Sequence, residues 1–161
     1  MTETLLRAGL TDIEVADRPF DGFQQVVAYR YQRDAEDPGV PVSRIRVRAL
    51  MIPPGIADFF SRERFVEPGR VVLRGRAWSG AAPIARVEVA VDGEWADADL
   101  GAAAGDVAWT PWSFFWDAAE GPHELACRAT DASGDTQPME PPWNHQGMGN
   151  NVVQRLRVTV R

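Results

Sequence analysis

The residues of this 161-residue chain whose types could do chemistry are one cysteine, two histidines, a few clustered carboxylates and a run of arginines. A cysteine that acts as nucleophile or metal thiolate needs a histidine or an electropositive neighbour to lower its pKa. Cys127 instead shares the apolar side of an alternating stretch with Leu125 and Ala129, where a thiol behaves as a small hydrophobe. His123 follows Pro122 at the start of that stretch and His145 lies in a separate loop. Two isolated imidazoles fall short of the three or four ligands of a zinc site. Asp131, Ser133, Gly134 and Asp135 read as a polar turn, since a calcium loop spaces more carboxylates along the chain. Gly147 and Gly149 lack the strand and helix that frame a dinucleotide-binding G-x-G-x-x-G. Arg44, Arg46 and Arg48 recur at every second position, so a strand would set them on one face. That face is either an anion patch or, more plainly, a solvated strand surface. These residues assemble no catalytic, cofactor-binding or metal site.

The elements that would position them are strands. In Ile84–Leu100, Ala85, Val87, Val89 and Val91 alternate with Arg86, Glu88 and Ala90, the period-two pattern of a strand with one buried and one wet face. Asp92-Gly93 tolerates positive φ and turns the chain into a return strand opened by Trp95. Upstream, Val71, Leu73, Gly75 and Ala77 alternate with Arg74 and Arg76. Downstream come Val107–Trp116, with Trp112, Phe114 and Trp116 in alternation, then His123–Thr130 and Val152–Val160. About seven strands with turn residues between them and no helical period predict an all-β fold, an immunoglobulin-like antiparallel sandwich. Residues 67–161 form this sandwich and residues 1–66 an N-terminal strand and loop extension. Within the extension, residues 1–10 offer a short helical turn on Leu5, Leu6 and Leu10, and Gln24–Tyr31 and Val42–Leu50 read as strands, the second with Ile45 and Val47 inward. Phe59, Phe60 and Phe65 need something to pack against.

Composition narrows the class. Forty-five per cent hydrophobic residues supply a core, and a net charge of −6 opposes nucleic-acid binding, because phosphate contact needs a basic surface. All 17 basic residues are arginine, which reads first as genomic composition bias. A single cysteine makes no intrachain disulfide. The start, MTETLLRAGLTDIEV, has neither the apolar run of a signal peptide nor that of a membrane span, so the expected location is cytoplasmic, or periplasmic for a fragment of an exported enzyme.

One long loop stands apart. Gln137–Asn151, QPMEPPWNHQGMGNN, is of a length that is usually functional or disordered, and its tryptophan and amides favour order. Here the sequence resembles a known family. VEVAVDGEWADADL, a tryptophan-rich strand, RATDASGDTQP, and then PPWN-x-x-G-x-x-NN-x-x-x-R-x-x-V resemble, in order and spacing across residues 69–160, the C-terminal dimerisation domain of sulfite oxidase-type molybdenum enzymes. TDIEVADRPFDGFQQ and EDPGVPV resemble the bacterial stretch joining the molybdenum domain to the sandwich.

The resemblance implies a homodimer, or association with a chain carrying the molybdenum domain. It places molybdopterin and its cysteine ligand in a separate N-terminal domain, so no cofactor is expected here and Cys127 matches a sandwich position. In animal sulfite oxidases an arginine matching Gln146 reaches the anion pocket. Glutamine keeps hydrogen bonding without the charge-assisted bidentate contact. Gln146 and Asn144 are thus a candidate substrate-pocket edge by resemblance, although Trp143-Asn144 reads better as a loop anchor. Trp112, Phe114 and Trp116 are candidate interface residues, since one inner face would not bury every ring. The expected function is a noncatalytic assembly module. The alternatives are a stand-alone binding module using exposed tryptophans, or the accessory half of a split molybdenum oxidoreductase.

Overall fold

A computed structural model describes residues 12–106 and 108–161. The turn expected on Leu5, Leu6 and Leu10, and Val107 of the aromatic strand, lie outside the described residues. In chain order, a π-helical turn (Gln24–Ala28) precedes β1 (Arg30–Tyr31), β2 (Val40–Pro41), β3 (Arg48–Ile52), β4 (Ile56–Ala57), β5 (Arg64–Val66) and β6 (Gly69–Trp78). There follow β7 (Ile84–Val91), β8 (Glu94–Asp97), β9 (Asp99–Leu100), β10 (Thr110–Ala118), β11 (Gly121–Asp131) and β12 (Gln154–Val160). Strands β1 and β2 make a small ribbon. A four-stranded sheet, β3-β6-β10-β9, faces a six-stranded sheet, β4-β5-β12-β11-β7-β8. All pairings are antiparallel except β5 with β12.

The alternation in the sequence becomes the core. Leu73 and Ala77 of β6, Trp112 and Trp116 of β10, Val87 and Val89 of β7, Leu125, Cys127 and Ala129 of β11, and Val158 and Val160 of β12 fill one cluster between the sheets. Each fully buried Leu or Val stabilises the fold by about 1.5–3 kcal/mol relative to exposure. At β7–β8, Asp92 (φ 52°) and Gly93 (φ 92°) both take the left-handed conformation that a two-residue hairpin turn of this hand requires. Gly75 answers to packing. A Cβ there would overlap the Leu50 carbonyl oxygen and the Trp112 ring.

Several expectations change. Gln24–Tyr31 is no strand: Val26 N donates to Gly22 O and Tyr29 N to Gln24 O, closing a helical turn where no neighbouring strand offers pairing. Val42–Leu50 becomes strand only at Arg48, which pairs with Trp78, the last residue of β6. Before Arg48 there is nothing left to pair with, the chain bends, and Ile45 is exposed. The sandwich also reaches upstream of residue 67. Strand β3 extends the four-stranded sheet along β6, and β5 runs beside Val158–Val160. The face of β7 expected to be wet is closed at Glu88 (4% exposed) and Ala90 (2%), and only Arg86 stays exposed on it. Finally, Trp112 (3%) and Trp116 (4%) lie inside the sandwich and Phe114 packs against the same cluster. Two facing sheets bury the two tryptophan rings within the chain, so these offer no surface to a partner, while Phe114 is half-buried.

Candidate functional site

The Gln137–Asn151 loop is ordered by its amides. Gln137 is 2% exposed. Its Oε1 accepts from Ala49 N of β3 (2.5 Å) and Ala129 N of β11 (2.9 Å), while its Nε2 donates to Asn151 O (3.0 Å). One side chain thereby ties the two sheets together. Gln154 accepts from Met51 N (2.6 Å) and Asn151 Nδ2 donates to Val47 O (3.0 Å). Strand β3 is the edge of its sheet, and an unpaired edge is a template for stray association. Three side-chain amides occupy part of that edge.

The tip of the loop clamps the N-terminal ribbon. Asn144 Oδ1 accepts from Gln32 N (2.6 Å), His145 N donates to Gln32 O (2.8 Å), Trp143 Nε1 donates to Arg33 O (2.7 Å) and Gln146 Nε2 donates to Gln32 Oε1 (2.6 Å). Asn144 is buried and Gln146 exposed. The structure thus brings together the two residues proposed for a pocket edge, and their protein partner is the backbone and side chain of Gln32. The ribbon is itself braced by Asp37, whose carboxylate accepts from Arg33 N (3.0 Å), Gly39 N (2.9 Å) and Arg33 Nε (3.0 Å). Those bonds, the backbone ones foremost, hold its pKa down at about 2.

Beside the clamp lies a cleft of about 310 Å³ lined by Tyr31, Ile45, Arg46, Arg48, Trp78 and Asn150 among others, with no carboxylate in its wall. Arg46 lies over the Tyr31 ring (4.3 Å) and donates to Gly149 O (3.3 Å), and Arg48 donates to Asn150 O (2.9 Å). The arginine run is therefore not a plain solvated strand face. Two of its members are fixed against the loop.

The remaining chemical residues serve structure. Cys127 is fully buried, its thiol 3.6 Å from Gln154 Oε1, and burial pushes its pKa up to about 12. A thiol so enclosed does not fit a molybdenum ligand. His123 donates from Nδ1 to Asp92 Oδ2 (2.7 Å) and from Nε2 to Ala119 O (2.9 Å), which both nitrogens do only in the protonated ring. The Asp92 bond, then the Ala119 bond, raise its pKa. Asp131 is the hub of its turn, accepting from Ser133 N (3.0 Å), Ser133 Oγ (2.6 Å) and Ser79 Oγ (2.7 Å). Burial works to raise its pKa, and the bonds from Ser133 and Ser79 outweigh it and lower it. Among the described residues no group of three or more His, Cys, Asp or Glu stands ready for a metal. Sequence reasoning missed Gln32, Gln137 and Gln154. Their signal was faint: amides at the margins of apolar alternation, meaningful only once the strand register is known.

A family model, the Mo-co oxidoreductase dimerisation domain, matches residues 42–161. The chain belongs to that family. Its sandwich is homologous to the C-terminal region of sulfite oxidase. The mitochondrial sulfite oxidase of Mus musculus is 36% identical over 110 residues, 59% of this chain and 19% of the mouse protein. Nitrate reductase [NADH] 1 of Arabidopsis thaliana is 28% identical over 130 residues, 74% of this chain and 14% of that one. The chain thus spans less than a fifth of these relatives. In three dimensions it is similar to the sulfane dehydrogenase SoxCD of Paracoccus pantotrophus, with a TM-score of 0.72 over 89% of this chain and 38% of that chain at 22% identity, a likeness of fold. The dimerisation-domain match starts at residue 42, so the ribbon clamped by Trp143–Gln146 precedes it for the most part. Strand β3 lies within it, as the sheet pairing requires.

Proposed function

We propose that this chain is a noncatalytic assembly module of a sulfite oxidase-like molybdenum oxidoreductase, pairing with a second copy of itself. The observation that supports this, beyond the family, is the outer face of the four-stranded sheet. There Phe115 (52% exposed) sits directly across from Val72 (38%), with Ile52 (63%) on the neighbouring strand. Arg70 lies over the Phe115 ring at 4.2 Å, and Arg74 and Arg76 flank the stripe. Aromatic, aliphatic and arginine side chains are the composition of an interface core, and a two-fold axis lets one such patch meet its own copy. Sedimentation velocity across concentrations tests the reading. The parent chain is expected to sediment as a dimer and Phe115→Glu as a monomer with unchanged circular dichroism. A monomeric parent, or a dimer indifferent to Phe115→Glu, removes self-pairing through this face.

A second reading draws on residues 12–29. Ile13, Val15, Phe20, Phe23, Val26 and Val27 are all exposed, more apolar surface than a short segment ordinarily presents to water. This supports association with a chain carrying the molybdenum domain, and copurification of a molybdenum-containing partner is its test.

A further inference from the structure

The cleft beside the loop clamp has features that dimerisation does not call for. The chain carries a net charge of −6, yet the wall of this cleft holds Arg44, Arg46 and Arg48 and no aspartate or glutamate. None of the three forms an ion pair with a carboxylate among the described residues. Among the described residues the arginines paired with carboxylates are Arg33, Arg86, Arg128 and Arg155, so the three of the cleft keep their charge unneutralised, and they do so side by side on one wall. A concave positive wall in an acidic molecule concentrates anions locally.

The guanidinium groups are also held in place. Arg46 is stacked on Tyr31 and bonded to Gly149 O, and Arg48 is bonded to Asn150 O. Each such bond engages one Nη1, and a guanidinium has five N–H donors in a fixed fork. The Nε of Arg48 is buried without an acceptor from the protein. A buried charged donor lacking an acceptor costs stability, and an oxyanion at this place would supply one. Gly149 helps form the wall: its φ is +66° and a Cβ there would overlap the Tyr31 ring, so a glycine lets the loop approach the Arg46–Tyr31 stack. The other wall is apolar. Trp78 and Ile45 line the same cleft, and Trp78 is stacked on Trp109 with ring centroids 5.0 Å apart, which limits the movement of the indole. At about 310 Å³ the space lies at the lower end of small-molecule sites.

We infer that this cleft binds a small organic phosphate, its oxyanion held by Arg46 and Arg48 and its apolar body laid against Trp78 and Ile45. The cleft lies at the Arg48–Trp78 end of the four-stranded sheet and the Phe115–Val72 pair lies towards the other end of β6, so Phe115→Glu tests self-pairing and the arginine variants test the cleft, each with its own readout. Arginine is suited to the task because its planar fork meets two oxyanion oxygens at once.

The test is a titration of the isotope-labelled chain, followed by amide and indole resonances, with three probes: phenyl phosphate, inorganic phosphate and uncharged benzyl alcohol. Phenyl phosphate is expected to shift the amides of Arg46, Arg48 and Asn150 and the indole of Trp78, with a dissociation constant of about 1 mM or tighter. Inorganic phosphate should bind the same amides about tenfold more weakly, and benzyl alcohol should leave them unmoved. Arg46→Gln and Arg48→Gln are each expected to weaken phenyl phosphate about tenfold. Because Arg48 also ties down Asn150, Arg44→Gln serves as the variant that leaves the loop bonds intact, and it should weaken binding with a reduced salt dependence. Shifts with benzyl alcohol equal to those with phenyl phosphate would reduce the cleft to an apolar patch. Equal affinity for inorganic and phenyl phosphate would remove the apolar half of the site. Absence of shifts at these residues, or indifference to all three arginine variants, overturns the proposal.

Discussion

Replacing Gln137 by methionine isolates what one buried amide contributes to this sandwich. Methionine is close in length and keeps apolar packing, so the change deletes hydrogen bonds and little volume. Two backbone donors, Ala49 N and Ala129 N, lose the Oε1 acceptor that lies at 2.5 and 2.9 Å, and Asn151 O loses the Nε2 donor at 3.0 Å. Each orphaned buried group costs about 1–3 kcal/mol. Allowing for some relaxation and water entry at the sheet edge, the sum is about 3–5 kcal/mol, a large part of the 5–15 kcal/mol of a typical domain. Urea unfolding should show the midpoint falling with an unchanged slope, since the buried surface is nearly the same. The melting temperature should fall by roughly 6–20 °C. Hydrogen exchange gives the residue-level reading: the amides of Ala49 and Ala129 should lose protection well beyond the global change. Gln146→Met is the control, because its one side-chain bond is exposed, and it should stay within about 0.5 kcal/mol. A Gln137→Met chain within about 1 kcal/mol of the parent, with Ala49 and Ala129 still protected, would refute the view that this amide joins the sheets.

Other perturbations read other parts of the structure. Thermal stability should depend on pH through His123 and Asp92. The raised histidine pKa contributes stability that is complete below the unfolded value of about 6.5 and is lost as pH rises through the folded value, so His123→Gln should flatten that upper limb. The lowered Asp92 pKa, set by the Glu124 backbone bond and then by His123, contributes stability present above the unfolded carboxylate range and lost as pH falls through the folded value, and Asp92→Asn should flatten that lower limb. Cys127, with its pKa pushed up to about 12 by burial, should resist a thiol-specific disulfide reagent at pH near neutral and react only as fast as the chain opens. Gly75→Ala should cost about 1–3 kcal/mol in urea unfolding, because the Leu50 carbonyl and the Trp112 ring would have to shift.

The strands that alternate were legible, and those that lean on distant partners were not. Ile84–Val91 with its Asp92-Gly93 turn, and the inward Leu73, Gly75 and Ala77 of β6, follow from period-two patterning and turn chemistry that are both local. Val42–Leu50 alternates equally well, yet its first half has no strand to pair with because β6 ends at Trp78. Periodicity describes a face and says nothing of whether a neighbour exists. Trp112 and Trp116 looked like surplus rings only on the assumption of one thin inner face, whereas Gly75 opens room for Trp112. The loop tip was legible as an anchor from Trp143 and Asn144, but its target, Gln32, lies 112 residues away from Asn144. Side-chain amides bridging sheets leave no periodic trace.

The two outer faces of the sandwich differ for reasons that go back to side-chain size. On the six-stranded sheet the outward positions include Ala90 and Ala126, small enough for Trp95 and Val153 to settle over them. Beside them Arg128 donates to Glu88 through Nε (2.6 Å) and Nη2 (3.0 Å) and lies over the Trp95 ring at 4.3 Å. A partner docking there would have to displace a bidentate pair around a carboxylate that is 4% exposed, and uncovering half of such a pair is costly. On the four-stranded sheet the outward positions of the central strands include the directly paired Val72 and Phe115, which stay exposed among Arg70, Arg74 and Arg76. Covering them removes apolar area from water and breaks no buried ion pair. Of the two sheet faces, the four-stranded one is therefore where association gains most and disrupts least, and this is the physical reason for directing the pairing test at Phe115.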